Sequence, residues 1–130
     1  MNINNDIIIL KELLNKQKQN ITANKLEYKD LKRISSNIDS SIFDTDKCSL
    51  WKGSCININN KNYVNFYYCG KKKSIQRLIY NNYVDNIDDT RYIHYMCANK
   101  GLCCNINHFT VKSNDVKKKT KITVKNEIIN

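Results

Sequence analysis

The sequence predicts a small α+β protein, and two patterns support this fold class. Apolar residues recur at helical spacing near the N-terminus, and a run rich in Tyr and Phe lies mid-chain beside polar turn residues. Of the 130 residues, 41% are hydrophobic, which is enough for one small core. With no proline and three glycines, the chain is unlike collagen or a Pro-rich or Gly-rich disordered segment.

Two helices are predicted within residues 1–47. From Asn5 to about Gln19, the apolar positions that recur at near-helical spacing are Ile7, Ile8, Leu10, Leu13 and Leu14. Thr22 is the predicted N-cap of a second helix, which ends near Ser35 and forms a helical hairpin with the first. The apolar residues that this second helix would bury are Leu26, Leu31 and Ile34. Residues 35–46 are rich in Ser, Thr and Asp, which predicts a loop.

The segment after Cys48 predicts a β-hairpin followed by a helix. Trp51, Gly53 and Cys55 begin a short strand, residues 59–62 form a polar reversal, and residues 63–68 form the return strand. Residues 74–83 then place their apolar side chains on one helical face. Two further strands are predicted at residues 92–95 and 109–111, on either side of a cysteine-rich loop, and a basic tail follows.

The cysteines are expected to be thiols or metal ligands. No segment approaches the roughly 18 apolar residues of a membrane-spanning helix, and no basic residue precedes the short apolar run at residues 7–10. We therefore expect an intracellular, reducing location such as the cytoplasm, the nucleus or a viral factory. In such a compartment six cysteines favour metal binding or buried thiols over a disulfide framework.

Positive charge is concentrated in the second half of the chain. The formal net charge is +10, and residues 1–47 contribute little of it, with eight Lys or Arg against seven Asp or Glu. Residues 48–110 hold eight Lys or Arg against three acidic residues, and residues 111–130 hold six against two. All six Cys and both His lie in this basic half, so a nucleic-acid partner is predicted: DNA first, with RNA as an alternative.

The densest group of metal-ligand residues lies between His94 and His108. Zinc takes about four nitrogen or sulfur ligands at tetrahedral corners, and Cys97, Cys103 and His108 are the local candidates. Cys48 is the best remote fourth ligand, and Cys104 is an alternative to Cys103. The competing interpretation is a group of free buried thiols.

Six short blocks follow one another between Cys48 and His108. They are Cys48-Ser-Leu-Trp51-Lys-Gly53, an extended segment from Tyr63, Lys73-Ser-Ile-Gln-Arg-Leu-Ile-Tyr80, Ile93-His94, Cys97, and the group Cys103, Asn105 and His108. In this order they resemble the HNH, or His-Me finger, homing endonucleases that carry a zinc-binding loop. That family reads C-x-x-W-x-G, A-H-R-x-x-Y, D-H-x-C and C-x-N-P-x-H-L, and the resemblance covers about half of the chain.

The resemblance implies a zinc-stabilised ββα-metal domain over residues 48–115, with helices and a linker in 1–47 and a basic tail in 116–130. It implies His94 as the general base, with Mg²⁺ steadying the leaving oxygen if the protein is catalytic. Asn114 is then the candidate oxygen ligand of Mg²⁺, and Arg77 the cation beside the scissile phosphate. Related nucleases often dimerise, so a homodimer is a further expectation, and no membrane partner is expected.

Several positions differ from the family pattern and leave other functions open. Gln76 stands where the family has His, Ile93 where many members have Asp, and Ile106 where the family has Pro. The first alternative is a non-catalytic zinc module that binds DNA or RNA through its basic residues, and the second is a structural or assembly protein of an AT-rich virus or mobile element. The residues expected to contact nucleic acid are Lys71, Lys72, Lys73, Arg77 and Arg91.

Three other residues have competing interpretations. Trp51 is expected to anchor the core rather than to stack on a base. Cys55 and Cys69 are expected to pack in the core, with a second metal site as the alternative.

Overall fold

The computed structural model describes residues 2–113, with side chains from residue 5. In chain order the elements are α1 (Asn2–Lys16), α2 (Tyr28–Ser36), β1 (Ile56–Ile58), β2 (Lys61–Tyr63), β3 (Asn65–Tyr68), β4 (Lys71–Ser74), α3 (Ile75–Tyr83), β5 (Arg91–Tyr95) and β6 (Phe109–Ser113). The strands pair as three antiparallel hairpins, β1–β2, β3–β4 and β5–β6. This mixture of helices and small antiparallel sheets confirms the α+β class. The predicted basic tail, residues 116–130, lies outside the described residues.

The second helix begins later than the sequence predicts. Its N-cap is Glu27, not Thr22, and the Glu27 backbone N–H donates to the Asp30 carboxylate at 2.9 Å. The preceding segment is bound to α3 instead. The Asn82 side chain accepts from the backbone N–H of Leu26 at 2.9 Å and donates to the carbonyl of Asn24 at 2.9 Å. The backbone N–H of Leu26 and the carbonyl of Asn24 thus find hydrogen-bond partners outside a helix. The prediction of Thr22 as the N-cap was therefore wrong.

The central hairpin of the prediction is in fact two successive hairpins. Residues 63–68 do not form one strand, because Tyr63 ends β2 and pairs with Ile56, whereas β3 pairs with β4. The residues Lys71, Lys72 and Lys73 therefore lie in strand β4.

Two tight turns with left-handed backbone produce this arrangement. Asn59 and Asn60 have φ of 53° and 65° between β1 and β2, and Cys69 and Gly70 have φ of 51° and 76° between β3 and β4. Two-residue turns with positive φ match the twist of the flanking strands, and Asn and Gly favour them. Cys69 gave no such signal in the sequence.

The elements after β4 follow the prediction closely. Helix α3 begins after Ser74, whose Oγ accepts from the backbone N–H of Arg77 at 3.4 Å, and it buries one apolar face. Strands β5 and β6 pair in register from Arg91 with Ser113 to Tyr95 with Phe109.

One apolar core joins the N-terminal helices to the rest of the described chain. Its buried members come from α1, α2, α3, the segment around β3 and the cysteine-rich loop: Ile9, Leu13, Leu26, Leu31, Ile34, Ile38, Ile42, Val64, Phe66, Ile75, Leu78, Ile79 and Cys104. Trp51 packs against this core, with its ring edge-on to Phe66 at 6.3 Å between centroids. The Tyr83 hydroxyl donates to the Leu13 carbonyl at 2.8 Å, and burial raises the pKa of that phenol. The N-terminal helices thus cover the core beneath α3.

Gly101 is the point at which the loop between β5 and β6 touches the β1–β2 hairpin. A Cβ on Gly101 would lie 2.0 Å from the carbonyl oxygen of Asn62, and its φ of +84° is left-handed. Any side chain there would push the two segments apart.

We expect Gly101→Ala to lower the free energy of unfolding by at least about 2 kcal/mol, because it adds a backbone clash to left-handed strain. Gly70→Ala is the matched control, since Gly70 also has positive φ but nothing lies within 4 Å of its added Cβ. Urea unfolding of both variants measures the difference, and equal losses would contradict the close contact at Gly101.

Candidate metal centre

The end of the β5–β6 hairpin brings Cys97 and His108 together. The last strand pair is Tyr95 with Phe109, and the Met96 backbone N–H then donates to the His108 carbonyl at 2.8 Å. Two residues close to each other across an antiparallel ladder have neighbouring side chains. The pairing of β5 with β6 thus brings Cys97 and His108 close together in space although they are apart in the sequence.

Cys48 reaches this loop through a short backbone ladder. Leu50 forms an isolated antiparallel bridge with Cys103. The Cys104 N–H donates to the Ser49 carbonyl at 2.7 Å, and the Trp51 N–H donates to the Leu102 carbonyl at 3.0 Å. These bonds fix the segment that follows Cys48 against the segment that carries Cys103.

The four side chains proposed as zinc ligands from the sequence lie together. The ligand atoms of Cys48, Cys97, Cys103 and His108 are all within 4.8 Å of one another. His108 Nδ1 is 3.3 Å from the Cys48 sulfur and 3.5 Å from the Cys103 sulfur. Tetrahedral zinc with Zn–S of about 2.3 Å and Zn–N of about 2.0 Å requires S···N separations of about 3.5 Å. The Cys₃His cluster therefore can hold a metal ion such as zinc.

The thiol of Cys48 ionises more readily than the thiol of Cys103, and a thiolate attracts a cation. Burial would raise the pKa of the Cys48 thiol, but hydrogen bonds, those of Asn99 and His108 first, outweigh burial and lower it to about 7. Burial raises the pKa of Cys103 to about 12. Cys48 is thus the more readily ionised of the two thiols, and a metal held by the cluster would supply the charge that favours the thiolate of Cys103.

Two asparagines hold the ligands from outside the cluster. Asn99 Nδ2 donates to the Cys48 sulfur at 3.3 Å, and the Asn105 backbone N–H donates to the Cys103 sulfur at 3.5 Å. The Asn105 side chain, fully buried, donates to the carbonyls of Asp44 and Lys47, both at 2.8 Å. Asn105 thereby ties the loop before Cys48 to the loop that carries the other three ligands, Cys97, Cys103 and His108.

Gln76 has a structural role that its place in the sequence did not reveal. Its side chain is buried on α3, and Nε2 donates to the carbonyls of Gly101 at 3.0 Å and Cys103 at 3.3 Å. The residue that departs from the family pattern therefore attaches α3 to the ligand loop. Gln76 is one of three buried polar residues of α3, with Asn81 and Asn82, and its sequence neighbours did not indicate which loop it contacts.

The remaining cysteines are separate from the cluster. Cys104 is fully buried in the apolar core, where burial raises its thiol pKa, which leaves Cys103 as the neighbour of His108. Cys55 and Cys69 are exposed, so the prediction that they pack in the core was wrong. Within residues 5–113, the Cys₃His set is the one group of three or more His, Cys, Asp or Glu with metal-ligand spacing.

Two of the three candidate catalytic residues, His94 and Arg77, are described, and neither belongs to the Cys₃His cluster. His94 is exposed on β5 and lines a cleft of about 460 Å³. The guanidinium of Arg77 donates to the backbone carbonyls of Arg91 and Asp88, both at 2.7 Å, and so holds the loop before β5. Asn114 lies outside the described residues.

The basic residues proposed to contact nucleic acid lie on two neighbouring regions. Lys71 and Lys72 are exposed on β4, and Lys73 lines a cleft of about 170 Å³ together with Arg77. The exposed Arg91 begins β5.

Comparison with known proteins gives a viral relative. The chain is 49% identical over 105 residues to "Uncharacterized protein R328" of Acanthamoeba polyphaga mimivirus. The alignment covers 78% of this chain and 31% of the viral protein, so the chain spans less than a third of that relative. No family model and no solved structure matches. Within residues 2–113, no helix is both long and apolar enough to span a bilayer.

Removal of the metal is expected to lower the thermal stability of the zinc-loaded protein sharply, because structural zinc contributes on the order of 10 kcal/mol in small modules. Cys103→Ser should lose stoichiometric zinc and the thiolate charge-transfer band of the cobalt-substituted protein. Cys104→Ser is the matched control and should keep both. Zinc content, cobalt spectra and thermal melts test this, and an unchanged melt after verified metal removal would contradict it.

Gln76→Leu is expected to weaken zinc binding roughly tenfold or more, since two carbonyls of the ligand loop lose their donor. The control is Gln17→Leu, because Gln17 also donates twice, to Leu26 and Asn82, but away from the metal. Competition with a chromogenic chelator measures the affinity. The same affinity in both variants would show that Gln76 does not position the ligands.

Proposed function

We propose that this protein is a zinc-stabilised module that binds nucleic acid. The observation that carries the proposal is the union of the Cys₃His cluster with a segment that contains no acidic residue. From Cys48 to Val84 the chain contains no Asp or Glu, while it carries Lys52, Lys61, Lys71, Lys72, Lys73 and Arg77. Asp89 lines the same cleft as Lys73 and Arg77, but the exposed Lys71 and Lys72 add positive charge that attracts a phosphate backbone.

The β3–β4 hairpin is the part of this surface best suited to a nucleic-acid strand. Tyr67 pairs with Lys72 across the hairpin, and the Lys72 ammonium lies 5.9 Å from the centre of the Tyr67 ring. The Tyr67 side chain is 56% exposed. Lysines contact phosphates, and exposed aromatic rings stack on bases. The cross-strand pair of Tyr67 and Lys72 therefore offers a contact to the base and a contact to the phosphate of a nucleotide.

The viral relative supports a setting for this activity. A virus that carries out its nucleic-acid chemistry in a reducing compartment keeps cysteine thiols available for zinc. We place the protein in such a compartment as part of the proposal.

A second candidate function is DNA cleavage of the HNH type, and the position of His94 favours it. His94 lies three residues before Cys97 on the strand that enters the ligand loop, and its imidazole borders an open cleft. A neutral imidazole there can take a proton from an attacking water. A bound Mg²⁺ would supply charge stabilisation to the leaving oxygen. Arg77 uses its guanidinium to donate to two backbone carbonyls, and it lines a different cleft from His94, beside Lys73.

Binding through the β3–β4 hairpin predicts a specific salt dependence. The double variant Lys71→Ala/Lys72→Ala should reduce the slope of log K against log salt concentration by about 2, because each lost phosphate contact removes about one unit. The double variant Lys11→Ala/Lys32→Ala removes the same charge from exposed positions of α1 and α2 and should leave the slope unchanged. Fluorescence anisotropy with a labelled 20-base-pair duplex and a 20-nucleotide strand gives the slopes. Absence of binding to both probes would refute the proposed function.

Nicking of supercoiled plasmid separates the two candidates. Zinc-loaded protein is incubated with and without Mg²⁺ beside His94→Ala prepared identically. Magnesium-dependent nicking that disappears in the variant establishes the nuclease, and binding without nicking establishes the non-catalytic module.

A further inference from the structure

A basic cleft lies between the β1–β2 hairpin, β5 and the ligand loop. Its volume is about 460 Å³, within the range of small-ligand sites. Among its lining residues are the cations Lys61 and Lys100, the aromatic Tyr63 and Tyr95, and His94. No carboxylate lines it, so an anionic ligand meets no like charge there.

The cleft presents a cation and an aromatic ring on one strand face. Lys61 and Tyr63 are two residues apart on β2, so their side chains project to the same side at about 7 Å spacing. The Tyr63 side chain is 46% exposed. Lys100 enters from the ligand loop, giving a second ammonium at the same cleft.

The floor and the width of the cleft are set by packing. Tyr95 lies edge-on to Phe109 at 6.2 Å between ring centres, and burial raises the pKa of its phenol to about 12. Gly101 meets Asn62 with no room for a side chain, and the Asn62 carboxamide accepts from Asn57 Nδ2 at 3.0 Å. The two walls are therefore held before any ligand arrives, which lowers the cost of ordering on binding.

We propose that this cleft binds one unpaired nucleotide of a single strand, with the base stacked on Tyr63 and its phosphate between Lys61 and Lys100. A base in a duplex has both faces covered by its neighbours, whereas an unpaired base offers a face to an aromatic ring. This inference rests on the proposed nucleic-acid binding and assigns it a strand type and a site. DNA and RNA strands share the chemistry used here, so both are tested.

The test compares Tyr63→Leu with wild-type full-length, zinc-loaded protein by anisotropy on labelled dT₁₂, U₁₂ and a 12-base-pair duplex. Tyr63→Leu should weaken binding to the single strands about tenfold, because it removes a stacking surface. It should leave duplex binding within twofold. Tyr63→Phe should bind as wild type, and Tyr28→Leu, which removes an exposed tyrosine from α2, is the matched control. Lys61→Ala should weaken single-strand binding with a lower salt slope.

The outcomes distinguish this inference from the proposed function. No binding of any probe by wild type overturns both. Wild-type binding that Tyr63→Leu does not change, or that falls equally for strand and duplex, overturns the cleft assignment and leaves nucleic-acid binding intact. If Tyr63→Leu fails to fold, photocrosslinking of wild type to an oligonucleotide with 5-iodouracil decides, since the inference requires the adduct on Tyr63.

Discussion

Closure of the chain between Cys48 and His108 is the constraint on which the rest of this structure depends. Their ligand atoms meet at 3.3 Å although 60 residues separate them. Closing such a long loop reduces the conformational entropy of the chain. Three sets of hydrogen bonds offset this loss: the backbone ladder from Ser49 to Trp51, the buried side-chain amide of Asn105, and the side chain of Gln76 on α3. A metal bound to the four ligands would act on a site that these contacts already hold together.

The same contacts explain why the N-terminal helices belong to the structure of the site. Ile38 and Ile42, between α2 and Cys48, are fully buried in the common core, and the Ile106 N–H donates to the Ile42 carbonyl at 2.8 Å. The loop that carries His108 is thus bonded to a segment whose Ile38 and Ile42 belong to the common core. A core that draws on every helix lets a chain with a limited apolar content stabilise a site built largely from loops.

The parts of this fold that sequence reasoning could predict are those with local signals. Helix α3 and strands β5 and β6 follow apolar periodicity and a serine cap, and the ligand set follows from residue type and spacing. The start of α2 could not be read locally, because Asn82, 56 residues beyond Leu26, satisfies the backbone that Thr22 was expected to cap. The sequence predicted one hairpin where the structure has two. Val64, which separates β2 from β3, is a buried apolar residue and so gives no sign of a strand end. The turn at Cys69 and Gly70 contains Cys69, a residue with no turn preference. Gln76 could be noticed but not interpreted, since its partners are carbonyls of a distant loop.

The asparagine turns have a consequence for how this composition can fold at all. Glycine and proline, the usual turn formers, total three residues in the chain, whereas asparagine occurs 21 times. Asn24, Asn59 and Asn60 take the left-handed backbone, and Asn81, Asn82 and Asn105 donate to backbone carbonyls of distant loops, those of Ala23, Asn24 and Asp44. Asparagine thus serves in two ways, because it tolerates positive φ in tight turns and its side-chain amide hydrogen-bonds to backbone groups. A genome biased toward A and T can therefore encode sharp chain reversals and a closed metal loop without the GC-rich codons of glycine and proline.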